Sequence, residues 1–258
     1  MRTRVIAVAN QKGGVGKTTT ALNLAAFISE TGAKTLLIDL DPQANATSGV
    51  GIDLNHVAHS VYNVLSNDSP IEKSIYPTAF SHLHILPSSA SLAGAEVELS
   101  TVVSRETILK QRLSTVCPKY DYVIIDCAPS LGLLTLNAFS FSTNLVIPVQ
   151  CEYFALEGLA KLTNTVQLIK DRLNPGLSIL GVLLTMFDKR TLLNRQVVFN
   201  AKKYFNQLIF DTIIPRNIRL AEAPSFGLPI ALYKPKSSGS IAYYKLAKEV
   251  ITRVNAKQ

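Results

Sequence analysis

Residues 12–19, Lys12-Gly13-Gly14-Val15-Gly16-Lys17-Thr18-Thr19, constrain this chain more than any other stretch. They follow the apolar run Val5-Ile6-Ala7-Val8-Ala9 and lead into residues 21–28, whose apolar spacing suits a helix packed on a sheet. Strand, glycine loop and helix in that order form a phosphate cradle. Backbone N–H groups converge on an anion at the positive end of a helix, and glycines permit the close approach. The expected ligand is a nucleoside triphosphate.

The general phosphate-loop pattern G-x-x-x-x-G-K-[ST] is met only in part. Gln11 stands where the first glycine belongs, and a second lysine, Lys12, heads the loop. A lysine there can reach along the loop or out of it, toward phosphate held by a partner subunit, which reads as a nucleotide-dependent dimer. Lys17 is expected to contact the β- and γ-phosphates as a point charge, and the Thr18 hydroxyl to ligate Mg²⁺.

Two further runs supply what such a loop needs. Thr35-Leu36-Leu37-Ile38-Asp39-Leu40-Asp41-Pro42-Gln43 reads as a buried strand ending in two carboxylates. Asp41 leaves the strand just before a proline, so it stands at the rim and is the candidate for positioning or activating the attacking water. Asp39 faces the same way but deeper, and serves either there or as a structural partner of a loop N–H or of Thr19. Tyr122-Val123-Ile124-Ile125-Asp126-Cys127-Ala128-Pro129-Ser130 is again a continuous apolar strand ending in Asp. A strand-terminal aspartate often caps a helix or forms a turn; beside a phosphate loop, holding Mg²⁺ is the better reading. The expected sets are therefore Asp41, Lys12 and Lys17 for catalysis, Thr18 and Asp126 for metal, and Lys12, Gly13, Gly14, Val15, Gly16, Lys17, Thr18 and Thr19 for the nucleotide.

Strand patterns near 4–9, 34–40, 83–87, 121–126, 144–149, 178–185 and 209–214 alternate with helical ones near 17–31, 60–66, 104–116, 131–141, 155–172, 192–206 and 240–254. Short apolar strands separated by helices imply an α/β fold of the P-loop NTPase kind, a mostly parallel central sheet with helices on both faces. Ligand should sit at the carboxyl ends of the strands. No linker or repeat interrupts the pattern, so residues 1–258 read as one domain.

Together these motifs resemble the deviant Walker A ATPases, specifically the ParA/Soj family of chromosome and plasmid partition. The likeness rests on the loop, on Asp39-Leu40-Asp41-Pro42-Gln43-Ala44-Asn45-Ala46-Thr47-Ser48 and on Ile124-Ile125-Asp126-Cys127-Ala128-Pro129-Ser130. It continues through residues 148–158 and Ile214-Pro215-Arg216-Asn217-Ile218-Arg219-Leu220-Ala221-Glu222-Ala223-Pro224-Ser225, and so covers nearly the whole chain. The resemblance implies ATP and Mg²⁺ as cofactors, an ATP-sandwich homodimer, non-specific binding of double-stranded DNA by that dimer, and weak ATP hydrolysis stimulated by a ParB/Spo0J-type partner. It also implies a cytoplasmic, nucleoid-associated protein with no membrane partner. By the same resemblance, Pro215 and Asn217 belong to the adenine pocket, and Arg190 and Arg219 contact DNA.

Charge agrees. Residues 1–160 carry 10 Lys and Arg against 13 Asp and Glu, whereas residues 161–258 carry 16 against 5. A near-neutral catalytic half joined to a basic half suits a protein that also meets a polyanion.

Two rival readings share the loop. A membrane-targeted relative of the MinD type would need a detachable amphipathic tail. The last segment does place Ile241, Tyr244, Ala247, Ile251 and Val254 on one side, but that stripe reads more simply as a core-packing helix. The other rival is a nucleotide-gated dimer that recruits partners without useful hydrolysis. Cys117, Cys127 and Cys151 form no C-x-x-C pair, which argues against zinc or iron–sulfur and for a reducing cytoplasm. His56, His59, His82 and His84 lack the neighbours that would complete a metal site. Only Met1-Arg2-Thr3 precede the first strand, so no N-terminal DNA-reading domain and no operator-specific autoregulation are expected.

Overall fold

The structure, a computed structural model, describes residues 3–152 and 155–256, with side chains described outside 153–161. The segment 148–158 singled out above thus lies partly outside the described residues.

Seven strands, β1 Arg4–Val8, β2 Thr35–Leu40, β3 Tyr76–Pro77, β4 Leu83–Leu86, β5 Tyr122–Cys127, β6 Asn144–Gln150 and β7 Ser178–Thr185, form one sheet. Their order is β3-β4-β2-β5-β1-β6-β7, so the strand feeding the glycine loop is flanked on both sides. Every pairing is parallel except the short edge strand β3, antiparallel to β4. Parallel strands need cover on both faces, hence their near-continuous apolar sequence.

Alternation along each strand divides the core in two. Val5, Ala7, Leu36, Ile38, Val123 and Ile125 point to one face; Ile6, Val8, Leu37 and Ile124 point to the other. The first face is covered by α3 Val61–Leu65, α4 Leu92–Glu98, α5 Ile108–Arg112, α6 Leu133–Phe141, α7 Ala155–Arg172 and α8 Leu192–Phe205. The second is covered by α1 Lys17–Ser29, α2 Asn45–Gly49, α9 Ile218–Glu222, α10 Ile230–Tyr233 and α11 Ser238–Ala256. By the same alternation Asp39 and Asp126 lie on the α1 face, beneath the glycine loop.

Three expectations from sequence change. Residues 209–214 do not form a strand. They touch β7 through one bridge, Val182 to Ile209, and through Phe210 N to Val182 O at 3.0 Å and Ile214 N to Leu184 O at 2.9 Å. Between these points the backbone turns away, because Asp211 N and Thr212 N donate to the Glu249 carboxylate on α11 at 2.8 and 3.0 Å. The helix expected over 104–116 is a 3₁₀ turn, Arg105–Thr107, followed by α5. There the Asn137 amide on α6 takes Leu109 N (3.0 Å) and donates to Arg105 O (2.8 Å), competing with the helical ladder. Finally, the buried face of α11 is Ala242, Tyr243, Leu246, Ala247, Val250 and Val254, rotated from the expected stripe so that Ile241 and Tyr244 stay half-exposed. Tyr243 bonds Thr20 of α1 at 3.1 Å, which sets the rotation.

Gly181 on β7 is required by packing. A Cβ there would come within 2.6–2.9 Å of the Phe210 ring, which is itself held beneath the Arg253 guanidinium at 4.4 Å. Gly181→Ala is expected to cost about 1–3 kcal/mol through overpacking, read as a lower urea midpoint with an unchanged slope.

Candidate active site

The loop is pinned from below and open above. Asn10 at the end of β1 donates to Pro148 O at 2.7 Å and accepts from Lys12 N at 3.1 Å. Thr185, the last residue of β7, donates to Val15 O at 2.9 Å. Residues 11–14 are exposed while Val15 is buried as the anchor. Gly14 (φ 72°) and Gly16 (φ 88°) adopt left-handed backbone, a conformation that side chains resist. Gly16 caps α1 without any side-chain hydrogen bond, so the first N–H groups of this 13-residue helix are offered by the loop alone.

Inside the loop Lys17 is 6% exposed, and its Nζ donates to Lys12 O at 3.1 Å. Burial lowers its pKa, opposed by the charges of Asp126 and then Asp41. Asp126 lies in register with Val8 of β1 and Asp39 of β2. It is fully buried, and neither carboxylate oxygen has a hydrogen-bond partner. Burial, then the adjacent Asp39 carboxyl, pushes its pKa well above the ordinary 3.8; the neighbouring Thr18 hydroxyl and Lys17 act the other way. A carboxylate so deeply buried is costly unless a cation joins it. Thr18 and Asp126 are the oxygen donors a hard cation prefers, and Mg²⁺ completes its shell with water and phosphate oxygens rather than a protein cage. The residues present therefore fit Mg²⁺.

Asp39 has a different task. It accepts from Thr47 N at 2.8 Å, Thr47 Oγ1 at 2.7 Å and Asp41 N at 3.1 Å. Thr47 Oγ1 in turn accepts from Ser88 N at 3.0 Å, beyond β4. None of these donors belongs to the glycine loop or to Thr19: Asp39 braces the turn after β2 and the start of α2, the segment that carries Asp41. Burial pushes its carboxyl up to about 6 despite these donors. Asp41, held by this clamp, is half-buried at the rim, where one carboxylate oxygen accepts Gln43 N at 3.0 Å.

Lys12 reaches out of the loop to Glu152, just past β6, at 2.7 Å, both side chains 48% exposed. Water competes with such a pair, which contributes about 1 kcal/mol or less. Behind the loop, Gly16, Thr19, Met186, Pro215, Asn217 and Tyr243 help line a largely apolar cavity of about 490 Å³, a size and character that suit a nucleobase. Pro215 contributes its ring. The Asn217 amide is partly engaged, accepting from Arg219 N at 2.8 Å as the cap of α9 and donating to Ser238 Oγ at 2.7 Å; one amide hydrogen and one lone pair remain.

The two candidate DNA contacts border this group, Arg190 in a recess it shares with Pro215 and Arg219 two residues beyond Asn217, each in an ion pair of its own. Arg190 binds Asp188 through Nη2 at 2.7 Å and Nε at 2.9 Å, holding the Asp188 carboxyl well below the usual range. Arg219 binds Glu222 at 2.7 Å, where Tyr233 also donates at 3.0 Å.

Sequence reasoning missed Asn10, Thr47, Glu152 and Thr185. Asn10 and Thr185 carried a signal, since each is a polar side chain at or just past the end of an apolar strand; Thr47 and Glu152 lie within the segments that carry the family likeness, but nothing in their spacing names the partners they meet.

The AAA domain family profile matches residues 3–179. The sporulation initiation inhibitor protein Soj of Bacillus subtilis is 54% identical over 247 residues, spanning 96% of this chain and 98% of its own. The chain belongs to the Soj/ParA family of partitioning ATPases. A second Soj/ParA relative, the chromosome partitioning protein ParA of Myxococcus xanthus, is 50% identical over 254 residues, 98% of this chain and 90% of its own. The fold extends beyond Soj/ParA proteins. Cobyrinic acid a,c-diamide synthase from Mycobacterium smegmatis, solved with a bound ATP analog and magnesium, superposes with a TM-score of 0.87 at 36% identity, covering 99% of this chain and 97% of its own. The ATP analog and magnesium are that neighbour's ligands.

Proposed function

We propose that this Soj/ParA ATPase, one domain over residues 1–258, is a nucleotide-gated DNA-binding homodimer that acts in chromosome or plasmid partition. The observation that carries the reading is the mouth of the loop. Lys12 stands outside the phosphate cradle, and among the described residues its side chain is held by one exposed carboxylate, which it can exchange for a stronger anion.

Lys17 and the N–H groups of residues 13–19 bind the triphosphate, and the cavity beside Pro215 and Asn217 takes the base. Thr18, and Asp126 through water, would hold Mg²⁺, which would supply positive charge to the phosphates. Two subunits close face to face, and Lys12 of each leaves Glu152 for the other's nucleotide. Asp41 orients the attacking water. Turnover is weak until a ParB/Spo0J-type partner stimulates it. Closure joins two basic surfaces, so phosphate contacts too few in one subunit become sufficient in the pair. Hydrolysis reopens the dimer and releases it from DNA, giving a cytoplasmic protein that spends its ATP-bound lifetime on the nucleoid. No helix among the described residues is long and apolar enough to cross a membrane. The apolar face of α11 is buried beside α1, where Tyr243 meets Thr20, so that face is not free to serve as a lipid-binding tail.

Asp41→Ala is expected to lower ATP hydrolysis about 100-fold or more, the usual worth of a positioned base, while retaining ATP. This variant provides the test. Its binding to a random-sequence duplex is measured without nucleotide, with ADP and with ATP–Mg²⁺ at two salt concentrations. Binding confined to ATP–Mg²⁺ and weakened by salt supports the reading; no binding in any state overturns it, and normal hydrolysis removes Asp41 from its role.

Arg190→Ala with Arg219→Ala is expected to leave dimerisation intact but reduce DNA affinity at least tenfold. The slope of log K against log salt should flatten by about 0.9 for each phosphate no longer neutralised. Unchanged affinity in the double variant would exclude that surface.

A further inference from the structure

We propose that a second cavity, at the amino-terminal edge of the sheet and opposite the phosphate loop, binds a small organic anion. The cavity measures about 550 Å³ and is bounded by the first residues of β1, β6 and β7 and by the segment following α5. Arg4 and Lys110 line it, and no aspartate or glutamate does. Among the described residues, neither cationic side chain has an ion pair or a hydrogen bond. Ser140, also in the lining, is 1% exposed, yet its hydroxyl has no partner.

The remaining polar groups of the wall are spent on the protein itself. Thr143 donates to Val5 O at 3.0 Å, Asn144 donates to Ser178 Oγ at 3.1 Å, and Asn174 donates to Phe139 O and Ser142 O at 2.8 and 2.7 Å. The nearest acid in sequence, Asp121 at the head of β5, accepts from Lys34 N at 2.8 Å and does not line the cavity. What is left on the wall is a half-buried guanidinium and an exposed ammonium, with no carboxylate among the lining residues to match them. A ligand that fills the cavity takes water from both charges, and an anion rich in oxygen acceptors is the one that replaces it with charge-assisted hydrogen bonds. Phe141 and Val254 add apolar wall, and the volume exceeds what a bare ion fills. The ligand class is therefore an organic body bearing a phosphate or a carboxylate.

The cavity is separate from the nucleotide site and from the candidate DNA contacts. The test uses the full chain saturated with ADP and Mg²⁺, which closes the phosphate loop to competing anions. Phenyl phosphate and benzoate are titrated by calorimetry, with inorganic phosphate alongside. Saturable binding of at least one aromatic anion at one per chain, weakened at least tenfold in Arg4→Gln with Lys110→Gln, supports the site. The better of the two probes identifies the head group. Absence of saturable binding, or equal affinity in the double variant, overturns the proposal. Should the double variant misfold by circular dichroism, exposed Lys110→Gln alone carries the comparison, and an unchanged affinity there overturns the proposal equally.

Discussion

Substituting alanine for Lys17 is expected to weaken ATP binding by about 100-fold or more while the chain still folds. Lys17 Nζ is buried within the loop and donates to the Lys12 carbonyl. Its charge sits in a site where desolvation already lowers its pKa and where Asp126 and Asp41 oppose that fall. A triphosphate placed on the loop exchanges a neutral carbonyl acceptor for charged phosphate oxygens, and charge-assisted bonds of this kind are each worth roughly 1.5–3 kcal/mol. Losing two of them corresponds to two or more decades of affinity. Lys17→Arg should not rescue binding, because the planar guanidinium demands a wider slot than a point charge does. Equilibrium binding of a fluorescent ATP analogue, with circular dichroism as the check on folding, decides the matter. An affinity within threefold of the parent chain would contradict the assigned role.

Asp126→Asn is expected to do two opposite things. Mg²⁺-dependent hydrolysis should fall by about two orders of magnitude, since the ion loses the carboxylate that holds it. The metal-free protein should at the same time become more stable, because an amide replaces a fully buried carboxylate that faces Asp39. The pH dependence gives the sign. Both carboxyls hold a proton more tightly in the folded chain than in the unfolded one, Asp39 up to about 6 against an ordinary 3.8 and Asp126 well above that ordinary value. The resulting contribution favours folding below about pH 4 and is lost as pH rises through 6. In EDTA, the difference in urea midpoint between Asp126→Asn and the parent should therefore grow from pH 4 to pH 8, and Mg²⁺ with ATP should shrink it. A difference that narrows with rising pH would refute the electrostatic account of this site.

Central strands and the glycine loop were legible because their signals are local. A parallel strand buried on both faces needs an unbroken apolar run, and a phosphate loop needs its glycines in sequence. The segment 209–214 has the same apolar look, yet Glu249, 37 and 38 residues away, takes two of its N–H groups and prevents pairing. Likewise, nothing in the spacing of residues 104–116 reveals that Asn137 breaks the helix from outside. At the site, Asp126 and Lys17 could be read from their motifs. The task of Asp39 could not, because alternation fixes which face a side chain occupies and not which donor meets it there. The Lys12–Glu152 pair joins positions 140 residues apart, beyond any pattern of spacing.

The arginine pairs have a further consequence. Asp188 lies two residues from Arg190, and Glu222 three from Arg219, so each guanidinium carries its own tethered competitor at 2.7 Å. A tethered carboxylate acts at high effective concentration and competes with each solitary phosphate that approaches. If this surface meets DNA as proposed, a polymer that presents many phosphates at fixed intervals overcomes that competition, because its contacts are made together and its released counterions add. The surface would thus behave as a threshold detector of charge density, indifferent to mononucleotides and short oligonucleotides and responsive to long duplexes.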